Sequence, residues 1–324
     1  MIKIKKGDIT TQQIVLLIIL IASFVVILFF ILRLNLGGMT ESEVCHNSVI
    51  VRSSGLLAQK IFPLNCKTNY VCLSKDGTCE SMTSPEVVKV KTKEEVYKAL
   101  AEKGVDCWWM FGEGKADYIG GAELHPYGYA SDLYCSICSQ IAFDDSIKEI
   151  FPKTILRFEG IAGQSSDVPI SLISREDFYK YLASTKISGK DISYLEYFLG
   201  LQNSEIISEA LKSKNYSWGY IDLGKRYLIM MGEFSKVEPF QNVLEGVIKG
   251  VLFFVVLPIP IVGGPLGIAL IVSTVYNPFT QRNAYMIGTV IQGESGHAYL
   301  SPTIIEANSE DYEALKCADI KTLA

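Results

Sequence analysis

IVLLIILIASFVVILFFIL, Ile14 to Leu32, runs for 19 residues without a charge. At the rise of an α-helix it reaches about 30 Å, the hydrocarbon thickness of a bilayer. A buried core helix is the competing reading, but a core helix of this length normally keeps a polar face. The stretch is expected to be a transmembrane helix. Lys3, Lys5 and Lys6 precede it and only Arg33 follows closely. The positive-inside rule then predicts a cytoplasmic N-terminus and an extracytoplasmic bulk. A cleaved secretory signal has a shorter apolar core that ends at small residues. Here Arg33-Leu34-Asn35-Leu36-Gly37-Gly38 follows instead, so an uncleaved anchor is favoured.

The bulk composition agrees with this division. The chain has 324 residues, 49% of them hydrophobic and 20% charged, and a net charge of −5. Lys3, Lys5, Lys6 and Arg33, less Asp8, put +3 in the first 33 positions, so the remainder carries −8. An acidic body argues against nucleic acid as a partner, because phosphate binding needs a basic face. The predicted partner is the lipid bilayer, with self-association or another surface protein as further candidates. No cofactor is implied.

The N-terminus carries one resemblance. Lys5-Lys6-Gly7-Asp8, a short polar run from Ile9 to Gln13 and then the long apolar helix resemble the class III signal of archaeal type IV pilin-like proteins. The resemblance implies a cut between Gly7 and Asp8, after which the helix serves as anchor or filament core. Many pilins of the wider family carry Glu five residues after the cut, where this chain has Gln12. A plain signal anchor with a basic N-terminus is the alternative.

A second uncharged stretch, Val251 to Tyr276, reads VLFFVVLPIPIVGGPLGIALIVSTVY. Pro258, Pro260 and Pro265, with Gly263 and Gly264, break it in the middle. Two short apolar arms are expected, about Leu244 to Leu257 and Leu266 to Tyr276. They would form a hydrophobic helical hairpin that touches the membrane. A buried core hairpin and a single kinked span are the other readings. Glu245 and Lys249 lie four apart on one face of the first arm, which suggests a position at the interface.

Eight cysteines, Cys45, Cys66, Cys72, Cys79, Cys107, Cys135, Cys138 and Cys317, in an exported body predict disulfides. Their connectivity is not fixed by spacing. Tyr70 to Leu73 and Thr78 to Glu80 flank Lys75-Asp76-Gly77, which predicts a small hairpin with an Asp-Gly turn. Cys135-Ser136-Ile137-Cys138 is the sharpest chemical motif, and Cys135 and Cys138 are weak candidates for a redox pair. No βαβ context is visible around them and no histidine pair has metal spacing, so structural cystines are expected and no metal. His46, His125 and His297 stand apart. Asn215-Tyr216-Ser217 is a glycosylation acceptor if the body is exported.

Thr92-Lys93-Glu94-Glu95, Ser174 with Asp177, Ser193 with Glu196 and Asn203 or Ser204 predict helix starts. Expected strands are Val49 to Val51, Cys107 to Phe111, Thr154 to Phe158, Tyr227 to Met231, Met286 to Ile291 and Thr303 to Ile305. A last helix is expected from about Ser309 to Lys316. Gly112-Glu113-Gly114-Lys115 lacks the phosphate-loop spacing and reads as a turn.

The expected fold is an α+β extracytoplasmic body with an N-terminal transmembrane helix and an internal hydrophobic helical hairpin. It divides into a cytoplasmic basic N-terminus (1–13), a transmembrane helix (14–32), a Cys-rich membrane-proximal segment (33–90), an α+β body (91–240), the hydrophobic hairpin (241–280) and a C-terminal part of the body (281–324). The expected function is that of a membrane-anchored, disulfide-stabilised cell-surface or envelope protein, in an interaction or structural and pilin-like role. A pore-forming protein using 251–276 and a thiol oxidoreductase are the alternatives.

Overall fold

The computed structural model describes residues 11–33, 40–119, 133–151, 153–159, 165–200, 219–234, 252–257, 268–275, 283–293, 297–315 and 317–318. The N-terminal apolar run is helical, α1 at Thr11–Arg33. Side chains of α1 are described for residues 14–26, and all of these are exposed. Among the residues so described, no helix is long and apolar enough to cross a membrane.

The body is mixed α+β. Its main sheet has eight strands in the order β2-β1-β3-β7-β11-β10-β9-β8. These are β1 (Asn69–Ser74), β2 (Glu86–Lys89), β3 (Leu133–Phe143), β7 (Tyr227–Phe234), β8 (Leu252–Leu257), β9 (Ile268–Val275), β10 (Asn283–Gln292) and β11 (Ala298–Glu306). β1 pairs parallel with both β2 and β3, and every other pairing is antiparallel. β4 (Lys153–Glu159), β5 (Ser165–Ser174) and β6 (Tyr220–Asp222) form a second, three-stranded sheet.

β2 and β3 run parallel on either side of β1, and α4 (Lys93–Met110) is the crossover that joins them. This corrects the expectation that no βαβ context surrounds the Cys135 motif. Thr92 caps α4 by accepting from the Glu95 N–H, while the Glu95 carboxylate accepts from the Lys91 N–H. The expected strand Cys107 to Phe111 is instead the last turn of this helix. Burial of Leu100, Gly104, Cys107 and Trp108 on one helical face carries it on to Met110. Val49 to Val51 is also helical, within α2 (Glu41–Arg52). Thr40 and Glu43 close a full capping box, and Cys45 and Val49, four apart, bury the same face. That packing outweighs the strand preference of three consecutive β-branched residues.

α5 (Arg175–Ser184) and α6 (Tyr194–Leu199) start at Ser174 and Ser193, as their caps predict. α3 (Leu56–Ile61) follows α2, and α7 (Glu310–Ala314) follows β11. Gly112-Glu113-Gly114 is a turn, with all three residues at positive φ.

The apolar stretch 251–276 corrects the helical-hairpin expectation. Its described parts are strands β8 and β9, paired antiparallel from Leu252↔Ser273 to Leu257↔Ile268. They continue the main sheet, and β8 is its edge. Aromatic and β-branched residues such as Phe253, Phe254, Val255 and Val256 suit extended backbone. Glu245, Lys249, the Pro-Gly centre, the helix expected near Ser204, Asn215, His125 and the Gly7-Asp8 cut all lie outside the described residues.

Lys75-Asp76-Gly77 does turn the chain, with Gly77 at φ 93°. The hairpin expected around it does not form, because β1 takes β2 as its parallel partner. Side chains from β7 divide between two cores. Tyr227, Ile229 and Met231 face the α4 side, and Leu228, Met230 and Phe234 face the other.

All eight cysteines are paired: Cys45–Cys66, Cys72–Cys79, Cys107–Cys138 and Cys135–Cys317. Cys135 and Cys138 are three apart on β3, so they point to opposite sides of the sheet. Cys138 reaches α4 in the first core, and Cys135 sits with Cys317 beside the second.

Candidate functional site

The burial phase of β7 has one anomaly. Glu233 continues the series Tyr227, Ile229, Met231 and is 0% exposed. Its backbone pairs with Tyr134 on β3 and with Tyr299 on β11, so it lies inside the sheet rather than at an edge. An isolated carboxylate in such a place is costly unless a partner compensates it.

The partner is His297, which immediately precedes β11. Its Nδ1 is 3.1 Å from Glu233 Oε1, and its Nε2 is 3.6 Å from Asp117 Oδ2. The imidazole therefore contacts both carboxylates, one at each ring nitrogen. Asp117 and His297 keep 28% and 14% of their side chains exposed, so the cluster opens to solvent on their side. One donor atom from each of the three residues lies within 4.8 Å of the others. Glu233 Oε2 is buried and has no hydrogen-bond partner among the described residues.

Burial raises the Glu233 carboxyl to about 7, and the His297 contact acts in the opposite direction. The hydrogen bond to Glu233 raises His297, against desolvation. The two groups thus hold protons more strongly than they would in water. Tyr118 is fully buried beside them, and burial pushes its phenol well above the usual range.

The surroundings fix each member. The Gly293 N–H donates to the His297 carbonyl at 2.8 Å, tying the residue that carries the ring to the end of β10. A Cβ at Gly293 would come within 2.1 Å of the Gly114 carbonyl and 2.5 Å of the Tyr299 ring. Only glycine permits this approach. The Tyr299 hydroxyl donates to the Ala116 carbonyl at 3.1 Å and lies 3.4 Å from Glu233 Oε1. Its ring meets Trp108 edge-on. On the other side, Arg52 Nε donates to the Tyr118 carbonyl and Gln59 Nε2 to the Asp117 carbonyl, so α2 and α3 hold the Asp117 segment in place.

Three kinds of chemistry are open to this arrangement: a shared-proton ion cluster, an acid–base pair, and coordination of a cation by one nitrogen and two carboxylates. The other sequence-stated candidates lie elsewhere. Cys135 is bonded to Cys317 and Cys138 to Cys107, not to one another. His46 stacks on Trp109 at 4.1 Å and contacts its carbonyl. The expectation of no metal rested on histidine spacing, which does not register a cluster such as Asp117, Glu233 and His297 that only the fold assembles. The available signal was Glu233 itself, an acid inside the otherwise apolar strand YLIMMGEF.

No family model matches this chain, and neither does any curated protein or solved structure.

Proposed function

We propose that the protein is a membrane-tethered, exported protein whose disulfide-braced body serves as a surface interaction or structural domain. The observation that carries this reading is the complete pairing of eight cysteines, from Cys45 to Cys317, which leaves no free thiol. Disulfides of this density persist in oxidising compartments. The tether in this reading is α1, with its uncharged run Ile14 to Leu32 behind three lysines. A further support is the outer face of α2 and α3. Leu56, Leu57 and Ile61 are 68%, 72% and 60% exposed, and Ile50, Val51 and Phe62 are exposed near them in sequence. So many large apolar side chains between positions 50 and 62 suit contact with a membrane or a partner. Only a short segment separates them from the end of α1.

The test combines thiol labelling with protease treatment of intact cells. The expected result is no maleimide labelling before reduction, full labelling after it, and digestion of the body from outside. A labelled thiol in the unreduced protein, or a body protected in intact cells, would overturn the reading. N-terminal sequencing of the membrane-extracted protein addresses the pilin-like form. A start at Asp8 supports it, and an intact Met1 or Ile2 start sinks it.

One observation favours a second reading, a membrane-inserting role for 251–276. Among the described residues, β8 is an unbroken apolar strand paired on one side, and open edges of this kind recruit further strands. Removal of residues 1–33 followed by liposome flotation tests it. Continued partition into lipid supports insertion, and a soluble monomer rejects it.

A further inference from the structure

We infer that Asp117, Glu233 and His297 form a binding site for one divalent transition-metal ion of the zinc class. The site draws on three separate parts of the chain: the segment after α4, strand β7 and the residue just before β11. It uses none of the features on which the tether reading rests.

The donor set comes first. One imidazole and two carboxylates suit zinc and its neighbours. Calcium and magnesium favour sites made of oxygen alone with more ligands, and copper(I) favours sulfur. Bonds of about 2.0–2.1 Å to a tetrahedral ion place its donors about 3.3 Å apart. The His297 Nε2 to Asp117 Oδ2 separation is 3.6 Å, and the three donors already converge within 4.8 Å. Asp117, in a loop and partly exposed, is the ligand with room to close the remainder.

Glu233 supplies the second, independent observation. Its carboxylate is wholly buried, and its Oε1 faces the His297 ring at 3.1 Å. Oε2 has no hydrogen-bond partner among the described residues. A buried lone-pair donor left in this state calls for a ligand. Oε2 is therefore the oxygen that remains available to an ion.

Charge points the same way. Among the described residues, the ion pair that Glu233 makes is with His297, and Asp117 adds a second carboxylate against the same ring. A divalent ion beside a neutral imidazole would balance both carboxylates at once. The open side at Asp117 and His297 provides entry, and it leaves a coordination position for water or an outside ligand. A site with three protein ligands and one open position is the pattern of catalytic rather than structural zinc.

The experiment uses the full chain in detergent, stripped with a chelator and dialysed, then titrated with zinc chloride. Metal ligands must be deprotonated, so the titration is run at about pH 8. The expected result is one zinc per chain by elemental analysis, with micromolar or tighter affinity. Cobalt in place of zinc should give the visible absorption of a low-coordinate site. Asp117→Asn and His297→Gln should each weaken binding at least tenfold and abolish the cobalt spectrum, while near-ultraviolet dichroism and the four disulfides remain. Asp117→Asn is the variant that secures the test, since a partly exposed loop residue tolerates the change. Failure of the wild-type chain to bind zinc overturns the proposal. So does zinc binding that survives in both folded variants.

Discussion

Replacing Cys135 and Cys317 together by alanine removes the bridge that closes the longest loop in the protein. The paired residues are 182 positions apart, against 31, 21 and 7 for the other three bridges. A cross-link stabilises chiefly by restricting the unfolded chain, by an amount that grows with the logarithm of the loop. That relation gives about 5 kcal/mol for Cys135–Cys317, about 4 for Cys107–Cys138, about 3 for Cys45–Cys66 and about 2 for Cys72–Cys79. Local packing predicts a different order. Cys107 and Cys138 are buried in the first core, whereas Cys135 and Cys317 are half-buried. Cavity formation should therefore penalise loss of Cys107–Cys138 most. The assay is thermal unfolding of the full chain in detergent, followed by near-ultraviolet dichroism, for the four double-alanine variants. If loop closure dominates, the Cys135 and Cys317 variant melts lowest, by roughly 10–20 °C below wild type. Part of the loss should be visible locally, because the Ala318 N–H donates to the Leu133 carbonyl at 2.8 Å next to this bridge. A smaller loss than that of the Cys107 and Cys138 variant would refute the loop argument and leave packing as the determinant.

Three further outcomes are expected. Asp76 accepts from the Thr78 N–H, the Thr78 hydroxyl and the Ser74 hydroxyl, which holds its carboxyl near about 2, below the ordinary 3.8. Its contribution is therefore present above the ordinary value and lost as pH falls through about 2. Asp76→Asn should flatten the melting temperature between those limits, and an unchanged pH profile rejects this. Gly293→Ala forces a Cβ against the Gly114 carbonyl and should cost more than about 2 kcal/mol in denaturant unfolding; a wild-type midpoint would show that the approach can relax. Thr40→Ala removes one half of the α2 capping box and should cost about 1 kcal/mol, read by the same titration. A cost no greater than that of an exposed Ser→Ala change elsewhere rejects the cap's role.

Local chemistry made some elements readable in the sequence. Thr92, Ser174 and Ser193 each bond to a backbone N–H three residues ahead, so those helix starts are written in four residues. The strands at 154–158, 227–231, 286–291 and 303–305 likewise carry their own β-branched or aromatic signal. Elements settled by distant packing were not readable. Val49 to Val51 has strand propensity, but Cys45 and Val49 bury one helical face and Cys45 is bonded to Cys66. The stretch 251–276 shows the ambiguity of an uncharged apolar run, where periodicity cannot separate a helix from a buried strand. The cluster was legible only through Glu233. Asp117 and His297 carry no local mark, and they meet Glu233 because β7, β11 and the segment after α4 come together only in the folded chain.

The bridge between Cys135 and Cys317 also imposes an order in time. At about 5–20 residues per second, roughly ten to forty seconds of synthesis separate the two thiols. During that interval Cys138, three positions away, already has its partner Cys107 on the same emerging segment. Cys135 must wait. An oxidase acting too early, or a ribosome stalled before Cys317, leaves it free to join a neighbouring chain. The thiol of Cys135 is thus a chemical report on whether the chain has been synthesised as far as its partner.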